Sequence, residues 1–267
     1  MKLLNTKNLA AVTLTAAMGM ASTSAMALED FTVDPDLNPA TNNSFVADKI
    51  TGGYAEVVTF GVGTFDVSIK WDAGQFFTND GVTALTAGLT RVGVDYGLYA
   101  LFNGRGTFST VGNLTTFTFT DAIFDLFYDD LVDTSYNQPL TASFSDPTKQ
   151  WSVNNNADDL HLASGALVVG AGQLNNTCVG LNCGSFGTTL TFALENPYGP
   201  QFFTAPTPFF DLTLNAGQFN DFPVVAGQTV LINGSMDVVF QKSVPEPTTV
   251  ALMGLGLLGL GLRRRKA

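Results

Sequence analysis

Cys178 and Cys183 are the most specific chemical signal in the sequence, set five apart within Asn176-Thr177-Cys178-Val179-Gly180-Leu181-Asn182-Cys183-Gly184. Two thiolates supply only half of a structural zinc ion's ligands, and the chain has a single imidazole, His161, to add to them. The spacing is also not that of a Cys-x-x-Cys redox pair, which stays a remote alternative. In an exported chain the first reading is a disulfide that closes a small loop and pins a surface turn, contributing about 2 kcal/mol. His161 would have to serve any serine triad, yet there is no Gly-x-Ser-x-Gly elbow and no His-Glu-x-x-His metal helix. Beside Asp158 and Asp159 it reads as a solvated loop residue.

Carboxylates are plentiful, and each pattern they form stops short of a site. Asp34-Pro35-Asp36-Leu37-Asn38 opens like an EF-hand loop, but Pro39 stands where the turn needs glycine and Phe45 where the bidentate glutamate belongs. Asp129, Asp130 and Asp133 make a second cluster without a calcium pattern. A carboxylate pair for glycoside hydrolysis remains open among so many aspartates. Trp71, Trp151, Tyr198, Phe202 and Phe203 are candidates for stacking on sugar rings; alternation places Trp71 in the core, while the polar surroundings of Trp151 favour exposure. Core packing is the expected role of most of the 22 phenylalanines. The residues therefore assign no catalytic group, cofactor or metal ligand, with calcium as the weak alternative.

The elements that would position these residues are strands. Phe65-Asp66-Val67-Ser68-Ile69-Lys70-Trp71 alternates with the period of a half-buried strand, as do Thr116 to Thr120, Thr188 to Glu195, Phe210 to Leu214 and Met236 to Phe240. Leu190, Phe192 and Leu194 are expected to point inward. Asp121 to Asp133 has some helical spacing but continues the Thr-Phe alternation without a cap, so strand is expected there too. Asn79-Asp80-Gly81, Asn103-Gly104, Pro197-Tyr198-Gly199-Pro200 and Asn233-Gly234 supply turn chemistry. Short strands so punctuated mean a sandwich or a barrel. The expected fold is all-β, a single antiparallel β-sandwich of jelly-roll type over residues 28–242, flanked by an N-terminal signal helix and a short C-terminal apolar helix.

The two ends say where the chain goes. Met1 to Ala27 carries Lys2 and Lys7, an apolar stretch from Leu9 to Met20, and the small-residue triplet Ala25-Met26-Ala27, the pattern of a secretory leader cleaved after Ala27. At the other end Pro245-Glu246-Pro247 precedes the uncharged run Thr248 to Leu262 and the basic cap Arg263, Arg264, Arg265 and Lys266. The cap stays cytoplasmic under the positive-inside bias. A 15-residue helix covers only about 22 Å of a hydrocarbon core roughly 30 Å thick, which makes it a marginal permanent anchor. Of the 12 lysines and arginines, two lie in the leader and four in the tail, leaving six against all 23 acids between Leu28 and Pro247, a net charge of about −17. That surface argues against nucleic acid and suits solubility and divalent cations.

Motif, apolar helix and basic cap in that order resemble the PEP-CTERM sorting signal of Gram-negative bacteria, here residues 243–267. The resemblance implies handling by an exosortase, transient residence in the inner membrane, and then the cell surface or extracellular matrix. Phe45 to Glu56, Trp71 to Phe76, Tyr96 to Phe102 and Asn215 to Asn220 are similar to words of the flocculation-associated PEP-CTERM proteins, the PepA-like group. That likeness implies a non-enzymatic protein that retains extracellular polysaccharide in flocs or biofilm. A carbohydrate-binding module and an extracellular hydrolase are the rival readings.

Overall fold

The computed structural model describes residues 27–242, apart from 39, 41, 42 and 181. The leader, with Ala25 of its cleavage triplet, and the sorting signal with Pro245, Glu246, Pro247 and Arg263 to Lys266 lie outside the described residues.

In chain order the strands are β1 (Phe31–Val33), β2 (Phe45–Ala47), β3 (Lys49–Phe60), β4 (Thr64–Thr78), β5 (Thr83–Ala84), β6 (Gly97–Val111), β7 (Leu114–Asp129), β8 (Ser135–Asn137), β9 (Ser152–Asn154), β10 (Leu160–Asn175), β11 (Gly184–Leu190), β12 (Ala193–Leu194), β13 (Phe203–Ala205), β14 (Asp211–Phe219) and β15 (Thr229–Gln241). Eight of them form one continuous antiparallel ring. β3 pairs with β4, β4 with β6, β6 with β7, β7 with β10, β10 with β11, β11 with β14 and β14 with β15. β15 then returns to β3, from Thr229 opposite Thr59 to Val239 opposite Lys49, and the ring is closed.

The all-β, antiparallel expectation holds, and facing strands pack across a filled interior as in a sandwich. The jelly-roll detail does not hold. In a jelly roll the connections cross between sheets, whereas here each ring strand pairs with the ring strands before and after it in sequence. Tight connections dictate this order. Gly112, at φ 60°, turns β6 straight into β7, and strands joined by so short a turn can only pair with each other.

Alternation sets what is inside. Phe65, Val67, Ile69 and Trp71 of β4 are each at most 4% exposed, so Trp71 is core as its sequence position implies. Asp121 to Asp129 belongs to β7 as strand, with Ala122, Phe124, Leu126 and Tyr128 buried. The Thr188 to Glu195 run is not one strand: β11 ends at Leu190, Thr191 breaks the ladder, and Leu194 sits half-buried in the short β12.

Two aromatic clusters finish the ends. At one end β13, β1 and β2 make a small sheet; Phe31 and Phe203 pack edge-on against Phe240 of the ring, and Phe45 against Phe76. Tyr96 stacks on Tyr128, and Phe202, ending the short helix Tyr198–Phe202, meets both rings. At the other end the nine-residue connection 220–228 lies across the ring, and Phe222 contacts Phe60, Phe117 and Phe219. Outside the ring, residues 134–156 fold onto β3 and β4. Ala142 donates to Thr59 Oγ1 at 2.8 Å, Phe144 to Asp66 Oδ1 at 3.0 Å and Trp151 to Ser68 Oγ at 2.9 Å.

Trp71 dictates a glycine beside it. Its indole donates to the Met236 carbonyl at 3.2 Å, and a Cβ on Gly52 would stand 2.4 Å from that nitrogen and 2.1 Å from the Asp72 carbonyl oxygen. Gly52→Ala therefore forces a shift in the β3–β4 pair. We expect a loss of roughly 1–3 kcal/mol and a fall of about 2–10 °C in Tm, read by near-ultraviolet circular dichroism; an unchanged Tm would show that the close approach is not required.

Candidate functional site

The outer wall carries an aromatic and acidic strip built by strand register. Asp72 of β4 stands opposite Tyr99 of β6, Tyr99 opposite Phe127 of β7, and Phe127 opposite His161 of β10. Directly opposed residues on neighbouring strands share a face, so the four form a row. Tyr99 and Phe127 stack at 5.1 Å and Phe127 and His161 at 4.8 Å between ring centroids. Tyr136 of β8 folds over one end of the row, donating to Asp72 Oδ1, with Lys70 Nζ 4.2 Å above its ring. Tyr99 donates to Asp159 at 2.5 Å, and burial with that carboxylate beside it pushes the Tyr99 phenol well above its ordinary range.

His161 sits in β10 rather than in a loop, half-buried against Phe127. Its Nε2 is 3.1 Å from Asp125 Oδ1, an ion pair when the imidazole is protonated, but without hydrogen-bond alignment. Among the described residues no serine hydroxyl is hydrogen-bonded to it, so the pieces of a serine triad are not assembled there.

Asp129, Asp158 and Asp159 meet at the end of this strip, with one oxygen of each within 4.8 Å of the others. This differs from the sequence grouping of Asp129, Asp130 and Asp133, because Asp130 and Asp133 turn out to solvent past the end of β7. Asp129 accepts from the Asp133 and Thr134 amides at 3.3 and 3.1 Å, and Asp159 accepts from Tyr99 and Thr134 hydroxyls. Burial raises the Asp159 pKa. Asp129 and Asp159 are thus already engaged as acceptors, whereas Asp158 Oδ2 is buried without a hydrogen-bond partner; calcium takes six to eight oxygens, more than this trio leaves free. Asp34 and Asp36 do not form one either. Asp34 Oδ1 accepts the Asp36 amide at 3.1 Å, and Asp36 pairs with Arg91.

The sugar-stacking candidates are mostly enclosed. Trp151 is 8% exposed, a correction to its expected exposure: the apolar patch of Ala55, Val57 and Ala142 claims the ring. Phe202 and Phe203 are core, and Tyr198 alone of that set is exposed, at 37%. Cys178 and Cys183 are joined as a disulfide. Its loop does more than pin a turn. Gly180 donates to Asp221 Oδ1, and the Asp221 amide donates back to the Gly180 carbonyl, both at 3.1 Å, so the loop fastens the segment that carries Phe222.

Residues 243–266 match the family model described as the PEP-CTERM protein-sorting motif. The chain carries a PEP-CTERM sorting signal. That motif implies an exported protein, transiently anchored in the membrane and processed by an exosortase. No curated protein and no solved structure matches the chain.

The β domain ahead of the PEP-CTERM motif holds one group that the sequence reading passed over. Glu56 of β3 points into the ring, 6% exposed, and its Oε2 has no hydrogen-bond partner. Alternation carried the signal, since Tyr54, Glu56, Val58 and Phe60 share one face. Its cross-strand neighbours are Ile69 and Ile232, and the nearest polar side chain on its own strand face is Tyr54, whose hydroxyl is also buried without a partner. Burial among apolar groups pushes the Glu56 carboxyl up to about 8. The folded chain then keeps a proton that the unfolded chain releases near pH 4.5, so this group's contribution to stability falls as pH rises from about 4.5 to about 8. Glu56→Gln should remove that dependence: urea melts should show the variant gaining on the parent across the interval and leading it by a few kcal/mol above it. Parallel pH profiles would contradict the assignment.

Proposed function

We propose that this chain is a non-enzymatic surface or matrix protein that associates with extracellular polysaccharide in flocs or biofilm. The observation that carries the reading is the PEP-CTERM motif behind a closed, chemically quiet β domain. An exosortase is the processing partner, and the short apolar helix serves only as a passing membrane hold. Charge supports the mode of association. With six basic residues against 23 acids between Leu28 and Pro247, the domain holds an acidic polymer through shared divalent cations rather than by direct pairing.

Among the described residues, the cavity beneath Phe222 is lined by one carboxylate, Glu56, and the grooves beside β10 and β11 by none, whereas a glycosidase uses two flanking one bond. A direct glycan contact is the second reading, favoured by the Phe127–His161 stack with Asp125 at its side.

Deleting the gene in its native host should disperse the flocs and move polysaccharide from the cell-bound to the released pool. Complementation with the full chain should restore both, and complementation without Pro245 to Ala267 should not. Unchanged settling and an unchanged polysaccharide split would end the matrix reading.

A further inference from the structure

The interior of the ring is not filled evenly. An eight-stranded ring is just wide enough to be filled by side chains or to hold one small ligand, and this one does the first at one end and leaves room at the other. Beneath Phe222 lies a cavity of about 30 Å³, walled by Val58, Ile232 and a cage of phenylalanines that includes Phe60, Phe117 and Phe186, with Glu56 as its sole charged group. A cavity of that size takes one or two waters, and withdrawal of the Phe222 ring enlarges it by the volume of a benzyl group.

We propose that this cavity is a binding site for a small organic ammonium ion, held by the Glu56 carboxylate and the surrounding phenyl faces. Three observations choose that chemistry. A carboxyl more than nine-tenths buried, with an unpartnered oxygen at the cavity wall, calls for a polar partner, and once ionised it calls for a cationic donor. Phenyl rings offer their negative faces to a cation and their area to its alkyl part. The acidic exterior concentrates cations at the mouth and repels carboxylates of the same size.

The route in is also built. Phe222 is half-buried on an irregular connection, stacked on Phe60 at 6.0 Å and tilted against Phe219 at 5.4 Å, and its ring is one of the walls of the cavity. The connection is fastened at Asp221 to the disulfide loop and at Gly227, whose amide donates to the Phe60 carbonyl at 2.7 Å. Between these two anchors only Phe222 to Ala226 need move. An ammonium ion arriving at neutral pH meets a Glu56 that burial keeps protonated; binding releases that proton to solvent and leaves a buried ion pair.

The test is titration of the full chain with n-butylammonium chloride, followed by methyl NMR at Ile232 and Val58 and by calorimetry in two buffers of different ionisation enthalpy. Saturable shifts at both methyl groups are expected, with proton release on binding. Glu56→Gln, which matches the protonated side chain in shape, should weaken binding at least tenfold, and Phe222→Ala should speed entry. Butyrate and butanol should bind at least tenfold more weakly than the amine. Unmoved Ile232 and Val58 signals, equal binding to Glu56→Gln, or butyrate binding as well as the amine would each overturn the proposal, and the acidic exterior, unchanged in Glu56→Gln, serves as the control for surface attraction.

Discussion

Everything in the domain depends on the pairing of β15 with β3, which joins the two ends of the β meander. Without it there would be two open strand edges and an interior exposed along one side. With it, each of the eight ring strands has both neighbours, and no long edge is left for another chain to extend. The cost is entropic: Thr51 and Asp237, hydrogen-bonded side chain to side chain at 2.6 Å, are 186 residues apart, and contacts so distant in sequence form late and slowly. Side chains reinforce the seam. Trp71 reaches across β3 to a carbonyl of β15, and Lys49 pairs with Asp237 at 3.5 Å.

Once the ring is shut, its inside and outside answer to different chemistry. The inside is phenylalanine, close-packed at the end covered by β1, β2 and β13, looser at the end covered by Phe222, and interrupted by the unpartnered polar atoms of Tyr54 and Glu56. A buried polar group without a partner costs about 1–3 kcal/mol, so two on one face are a standing expense against the fold. The outside is acidic and carries one organised feature, the strip from Asp72 to His161.

Much of this was legible in the sequence. Alternation identified many of the strands and buried Trp71, and of the Asp121 to Asp133 segment it assigned to strand, Asp121 to Asp129 is strand; Asn103-Gly104 and Asn233-Gly234, expected as turns, lie inside β6 and β15. Topology was not legible, because period two says which face a residue takes and nothing about which strand closes on which; ring and jelly roll share the same pattern. Trp151 was misplaced for a related reason. Its polar sequence neighbours favour exposure, whereas Ser68, Asp66 and Thr59 accept hydrogen bonds from residues 134–156 and hold that segment against β3 and β4. Cys178 and Cys183 were paired correctly, but their attachment to Asp221 depends on a contact 41 residues away. Glu56 was visible as an inward position on β3 and passed unnoticed, since a lone glutamate matches no catalytic spacing.

Ring closure is the claim on which the remaining interpretation stands, and native-state hydrogen exchange tests it most directly. The account predicts that the hydrogen-bonded amides of residues 229–239 and 49–59 exchange only through global unfolding, with the same free energy as those shared by β6 and β7. Exchange at the β15–β3 pairing that is orders of magnitude faster, while β6 and β7 stay protected, would mean that the strands form an open sheet and that the interior of the domain is not enclosed.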